Sequence, residues 1–556
     1  MRRKAAAWRA WAGVLVAAVC IGLVALPVAG VFARFFDPSA AATLLHLAST
    51  VLPRAAFETL LLVLLVTAGV AFLGTTSAWL VTAFDFPLRR FFEWALLLPL
   101  AMPAYIVAYA YTDFLQFAGP VQSALRALFG WQRADYWFPE IRSVPGAGFV
   151  FTVVLYPYVY LLARTAFQAR TASMIEAARS LGFSPLRTWL TVNMPLARPA
   201  IAAGVLLALM ETIADYGAVA YFGLQTFTTA IYRAWFGLGD SVAASQLAAV
   251  LLLVVLAVIA LEERARGRAR FFAAPNSARP AARTPLHGGR AAWAVAGCFV
   301  PLILGFVAPV VLLVRLLVPA YADIRLDRFF DWLGNTVTLG ASAALLTLVA
   351  VLALSYAKRL AASQRASSTV GLAVRALSLG YAVPGAVIAV GILVPLAAFD
   401  NALDAWLKSM VGAGTGLLLT GSTAALLYAY LVRYFAVAHQ PIEAGLARIT
   451  PAMDASARSL GSTPAGVFFR VHLPLLTPSV LAATLLVFVD VMKELPATLV
   501  LRPFNFDTLA VVAYQFAADE RLGEAALPAL TIALVGVVPV IILSRAIRRT
   551  SVIGDQ

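Results

Sequence analysis

Apolar stretches of roughly 20 residues, the length a helix needs to cross a hydrocarbon layer, recur from one end of this 556-residue sequence to the other. Lipid offers no water to satisfy backbone amides, so a lone apolar stretch of this length has a helix as its stable form. Twelve spans are predicted, near residues 10–32, 59–83, 93–112, 147–163, 200–221, 243–261, 291–314, 336–357, 376–398, 416–432, 478–499 and 525–544. Charged residues make up 12% of the chain, about half their share in soluble domains, and no segment is left for a large soluble domain. The expected fold class is an all-α integral membrane protein with about twelve transmembrane helices.

The net charge of +15 would point to nucleic acid in a soluble protein, but in a membrane protein it reports orientation. With twelve spans both termini share a side. Setting Arg2, Arg3, Lys4 and Arg9 in the cytoplasm puts most of the 42 Lys and Arg residues on that side as well. The prediction is a multi-pass chain with both termini cytoplasmic, the lipid bilayer as partner and no nucleic-acid role. The first apolar segment is read as a span and not as a cleaved leader, because its run is long enough and has a counterpart at Trp293 to Val314. Cys20 and Cys298, the only cysteines, fall in predicted spans as packing residues, which leaves no disulfide framework and no thiolate metal site.

Between Glu262 and Arg290 the apolar pattern breaks, and seven arginines appear with Pro280, Pro285 and a Gly288-Gly289 pair. This divides the chain into a first repeat (1–261), a basic cytoplasmic linker (262–290) and a second repeat (291–556). The halves are related in sequence. Arg179-Ser180-Leu181-Gly182 recurs as Arg458-Ser459-Leu460-Gly461, an offset of 279 residues, with nine identities in the 21 positions that start at Arg179. Six spans per half make the repeats parallel, related by an axis along the membrane normal.

The repeat is concentrated in the longest polar loop of each half, between its fourth and fifth spans. In the first copy Ser173 and Glu176 have capping-box spacing, Gly182 supplies a left-handed stop, and Ser184-Pro185 opens a second helix. The second copy has Thr450-Pro451, Gly461 and Thr463-Pro464 in the same roles. Each loop should therefore be a helix, a tight turn and a helix. A single such element would as readily rest on lipid headgroups, but two in equivalent places point to docking.

At these residues the sequence resembles the permease subunits of binding-protein-dependent ABC importers, whose cytoplasmic signature is Glu-Ala-Ala, three residues, then Gly. Glu176-Ala177-Ala178 with Gly182 fits it. The second copy departs, with Ala455-Ser456-Ala457 before Gly461 and its nearby carboxylate one residue early, at Asp454. The resemblance implies the ABC importer permease fold, and coupling helices that sit in a groove of an ATP-binding subunit dimer. Glu176, Ala177, Ala178, Gly182, Asp454, Ala457 and Gly461 are then the docking residues, and a periplasmic or extracellular substrate-binding protein delivers the cargo to a bacterial inner membrane. The runs Glu211 to Trp235 and Phe488 to Asp519 look like the fused two-domain permeases of ferric iron uptake. None of the four lysines follows a glycine, so the chain has no Walker A loop, and hydrolysis is expected on a separate subunit.

Ionisable groups inside spans are costly and mark function by default. Glu211 and Asp215 lie four apart in the fifth predicted span, and Asp490 and Glu494 stand at the same offset of 279 in the eleventh. Each pair should share a helical face, roughly 18 to 24 Å from the cytoplasmic end at 1.5 Å per residue. They are the translocation-pathway candidates, as hard oxygen donors for a hard cation. The competing structural role is an ion pair from Lys493 and hydrogen bonds that hold helices together. Whether the chain itself holds a metal ion stays open, and no cofactor is called for. His46, His287, His439 and His472 read as surface or interfacial residues, and Tyr105, Tyr109 and Tyr111 as interfacial anchors in preference to phenolate-type iron contacts. Pro99, Pro103 and Pro384 predict kinks. No nucleophile-base constellation is present, so no catalytic residue is assigned. Permeases for thiamine, polyamines or phosphonates share the architecture. A twelve-span secondary transporter shares the span count, but only Asp85 to Arg90 stands where that family carries its Gly- and Arg-rich signature.

Overall fold

In a computed structural model of the chain, the described residues are 2–168, 178, 180–266, 283–360 and 364–552. Most of the linker, 267–282, lies outside them. Among the described residues ten helices are long and apolar enough to cross a membrane. A bent pair, Arg89–Ala101 with Ala104–Phe129 at 89°, brings the number to eleven if it is one span. The predicted tenth span corresponds to Thr423–Leu446, a helix of 24 residues. It is long enough, but Arg433, His439 and Glu443 lower its apolarity, and it is not among the ten.

The chain forms two compact units, which interleave along the sequence. One comprises Met1–Leu47, Ile231–Leu252 and Arg325–Val512; the other comprises Ala48–Ala230, Leu253–Ile324 and Ala513–Gln556. The opening helix of each half of the sequence thus joins the unit built mainly from the other half, a division that differs from a split at the linker.

In the first unit Leu326–Leu360, Thr423–Leu446 and Leu473–Met492 pack on one another, and the chain's first helix, Arg2–Ala33, lies along Gln364–Leu379 and Gly385–Val411. Helices in lipid gain little from apolar burial, so close backbone approach through small residues carries the contact. Gly30 faces the Gly391 carbonyl and Gly391 faces the Pro27 carbonyl, so tightly that a β-carbon at either would overlap backbone. Tyr428 adds a hydroxyl donated to the Leu23 carbonyl.

In the second unit the equivalent trio is Leu52–Ala83, Val144–Gln168 and Met194–Ala214. Gly74 and Gly204 both close on the backbone near Val159. The helices from Gly288 to Ala320 join this unit: Gly305 sits against the Val153 carbonyl and Pro99, and Ala308–Ala320 packs on Leu522–Val552.

The predicted kinks are present. Pro103 precedes the helix Ala104–Leu115 with ψ 139°, after a short 3-10 turn that holds Pro99. Pro384 precedes Gly385–Val411 in the same way. Cys20 and Cys298 are buried and unpaired with one another. Tyr105, Tyr109 and Tyr111 are buried, which corrects their reading as interfacial anchors: every residue of their short helix from Ala104 to Thr112 is packed against the rest of the chain.

Candidate functional site: docking turns and intramembrane carboxylates

The two repeated loops have one geometry, although only part of the first is described. Glu176 and Ala177, with Ser173 of the proposed capping box, lie outside the described residues. Ala178 is buried, and its carbonyl accepts the Phe183 amide at 3.1 Å across Gly182, whose φ is +75°. In the second loop the Ala457 carbonyl accepts the Ser462 amide at 3.1 Å across Gly461, at φ +84°. This six-to-one bond over a left-handed glycine is the Schellman turn, which satisfies a carbonyl that the helix end would otherwise orphan.

The next helix starts alike in both copies. Ser184 Oγ accepts the Arg187 amide at 3.3 Å, and Thr463 Oγ1 accepts the Gly466 amide at 3.1 Å. Each is then followed by a π-helical turn, Trp189–Asn193 and Phe468–His472, at the same offset of 279. Thr450 stands at the start of Pro451–Ser459 with extended backbone, but its side chain makes no capping bond.

Ala178, Gly182, Ala457 and Gly461 are therefore the frame of the turns. What the frame presents is a leucine that the motif reading passed over. Leu181 is 72% exposed and Leu460 86%, each just before its glycine. The signal was in the repeated Arg-Ser-Leu-Gly, since a leucine kept at the apex of a polar turn has no core to fill.

Asp454 faces inward. Its carboxylate accepts from Arg359 Nε at 2.8 Å and lies 2.6 Å from His472 Nε2, while Arg359 also donates to the Leu446 and Ile449 carbonyls at 3.2 and 2.8 Å. Burial alone would raise the Asp454 pKa, but the hydrogen bonds from Arg359 and His472 outweigh it and hold the carboxyl below its usual range. His472 is buried and not at a surface, because the π-helical turn directs it under the helix Pro451–Ser459. His439 is buried too.

The carboxylate pairs do not ride on continuous helices. In the second unit Glu211 belongs to Met194–Ala214, but Asp215 is the residue after it, with ψ 137°. Asp215 Oδ1 accepts the Ala218 amide at 2.8 Å and so caps the short helix Gly217–Tyr221. Thr228 donates to the Asp215 carbonyl at 2.7 Å.

The first unit repeats the break. Leu473–Met492 ends at Lys493, and Pro496, which has no amide hydrogen to continue the ladder, starts Pro496–Leu501. Glu494 caps that helix: its carboxylate accepts the Ala497 amide at 2.9 Å, the Thr498 amide at 3.0 Å and the Thr498 hydroxyl at 2.6 Å. Arg433 Nη1 lies 3.5 Å from Glu494 Oε1. Asp490, half-buried, pairs with Lys493 at 2.9 Å. The expected i,i+4 face is thus replaced by a helix break with a carboxylate cap, because each helix ends before the second residue of its pair, at Ala214 and at Met492. Among the described residues no group of three or more His, Cys, Asp or Glu side chains is arranged to hold a metal ion.

Residues 70–262 match the family of binding-protein-dependent transport system inner membrane components. Over 492 residues the chain is 27% identical to the Fe(3+)-transport system permease protein FbpB 2 of Haemophilus influenzae, covering 88% of this chain and 89% of that protein. It is 25% identical to the probable ABC transporter permease protein y4fN of Sinorhizobium fredii, over 84% and 83% of the two chains. A 149-residue stretch is 28% identical to the molybdenum transport system permease protein ModB of Escherichia coli, covering 27% of this chain and 62% of that one.

Proposed function

We propose that this chain, a multi-pass inner-membrane permease of the binding-protein-dependent ABC importer class, carries ferric iron that a substrate-binding protein delivers, driven by ATP hydrolysed on a separate subunit. The observation that carries the iron assignment is the likeness to an Fe(3+)-transport permease along 88% of the chain. The molybdenum permease likeness covers 27% of it.

The coupling part of the reading rests on the matched turns. An ATPase dimer offers two equivalent grooves, and the chain offers two turns with the same Schellman bond, the same capped restart and an exposed apex leucine. The departure of the second copy from Glu-Ala-Ala then has a physical sense. Asp454 serves inside the chain, tying the docking helix to Arg359 and His472, so contact with the ATPase falls to the apex. With the docking turns on the cytoplasmic side, both termini are cytoplasmic.

The cargo must bind weakly enough to leave. That fits half-buried Glu211 and Asp490 as pathway contacts better than Glu494, whose oxygens are committed to a helix cap.

The test is reconstitution in liposomes with the cognate ATPase and a ferric-binding protein. ATP-dependent uptake of ferric iron, with hydrolysis stimulated by the iron-loaded binding protein, is expected. Stimulation by a molybdate- or phosphonate-binding protein in its place would move the cargo to an oxyanion. Hydrolysis by the permease alone would end the reading altogether.

A further inference from the structure

Two helices that meet the requirements of a membrane span and one bent pair that meets them together begin or end at one place in the second unit: Leu52–Ala83 ends there, and the segments that start at Arg89 and Gly288 begin there. Between them Phe84–Asp85 and Thr284–Pro285 form a short parallel strand pair, and the Leu286 amide donates to the Asp85 carbonyl at 2.8 Å. The end of the basic linker is thereby tied to the loop after the second predicted span, at the level where spans leave the hydrocarbon.

A cavity of about 740 Å³ opens beside this pair, lined by Asp85, Phe86, Leu88, Arg89, Arg90 and Arg283 among others. Leu88 holds φ at 62°, a left-handed conformation that a leucine adopts against its preference and that often marks a working site.

The charges around the cavity do not balance. Arg89 lies 3.1 Å from Asp85 and pairs with Glu93, and Glu93 also lies 3.4 Å from Arg164. Both carboxylates are thus committed, and Arg90 and Arg283 have no carboxylate partner among the described residues. Desolvation and then the Arg89 charge lower the Arg283 pKa, and the charges of Glu93 and Asp85 offset them only in part, as expected where a second cation is held beside the first. Guanidinium groups present fork-like donors that match phosphate oxygens.

We propose that this cavity binds a phosphate anion, its oxygens held by Arg90 and Arg283 over the apolar floor of Phe86 and Leu88. Two sources carry that chemistry: the headgroup of an anionic phospholipid and a soluble phosphate compound. The span ends around the cavity set it at headgroup depth, where basic pockets recruit anionic lipid.

The test is native mass spectrometry of the purified chain titrated with phosphatidylglycerol or phosphatidylcholine, and in a separate arm with inorganic phosphate beside phosphatidylcholine. The wild type should retain phosphatidylglycerol over phosphatidylcholine. Arg90→Gln with Arg283→Gln should reduce that retention by about fivefold for each arginine removed, and Arg283→Glu alone should abolish it. Both arginines are exposed, so the variants should keep the wild-type unfolding temperature in neutral detergent. Retention of inorganic phosphate, lost in the same variants, would support the soluble source. If neither anion bound the wild type more tightly than it bound the double variant, the proposal would be overturned.

Discussion

His472 Nε2 lies 2.6 Å from Asp454 Oδ1, so a side chain at the start of a membrane helix holds the short helix Pro451–Ser459 of the second repeat from beneath. Arg359, at the end of Leu326–Leu360, closes on the same carboxylate at 2.8 Å. A change at Pro451–Ser459 is thus tied to two helices of the first unit.

Asp454→Asn keeps the shape and removes the charge that both partners use. Hydrogen bonds to charged groups contribute about 1.5–3 kcal/mol each, reduced here by partial exposure of the pair. Because the folded pKa of Asp454 is depressed, its stabilisation is fully present above the unfolded carboxylate value, about 3.9, and is lost as pH falls through the folded one. The gap in unfolding temperature between wild type and Asp454→Asn should therefore be constant from pH 8 down to about 5 and close below about 4. A gap that instead changed between pH 6 and 7 would show that the Asp454 carboxylate is not the group that titrates.

Gly182 and Gly461 sit at φ +75° and +84°, with open space where a β-carbon would stand. Alanine at either site therefore strains the backbone without a clash, at a cost of about 1–2 kcal/mol. Gly461→Ala should lower the ratio of iron transported to ATP hydrolysed while expression and insertion stay at wild-type levels. Equal coupling ratios in the two proteins would mean that the turn is not part of transmission.

Leu181 and Leu460 are exposed at the turn apices, so their removal leaves the permease core untouched. Leu181→Ala with Leu460→Ala should weaken ATPase association by about 1–2 kcal/mol per site, the range of an apolar interface anchor. Pull-down of the ATPase against the variant, with the permease's own unfolding temperature as control, reads this directly.

Glu494 should separate from Asp490 and Glu211. Glu494 is buried and caps a helix with three bonds, so Glu494→Ala should cost about 2 kcal/mol or more by leaving two buried amides unpaired. Asp490→Asn breaks only a half-exposed pair with Lys493 and should change stability by under about 1 kcal/mol. Glu211→Gln and Asp490→Asn should reduce iron uptake at equal protein amount. Wild-type uptake by both would move the pathway elsewhere.

Gly391 meets the Pro27 carbonyl so closely that no side chain fits. Gly391→Val should therefore detach the first helix from its unit, seen as new protease sensitivity between residues 33 and 40 and a lowered unfolding temperature. Unchanged digestion would show that the helix is held by other contacts.

Spans, prolines and the repeated turn were legible in the sequence, because each follows from local chemistry. Twenty apolar residues must be helical in lipid, a proline cannot donate to a helix ladder, and a glycine after a helix accepts the left-handed stop. The offset of 279 residues carried that legibility into detail, since it aligns the Schellman bonds, the capping hydroxyls and the π-helical turns of the two loops. Partnership was decided by the tertiary structure alone. Hydropathy marks Arg2–Ala33 as a helix but is silent on its neighbour, which depends on Gly30 meeting Gly391, some 360 residues away in sequence. For the same reason the sequence offered Asp454 as an outward contact and Glu494 as a pathway oxygen. Arg359, His472 and Arg433 reach those carboxylates from other helices, and the distance between two side chains on different helices is fixed only once the helices have packed.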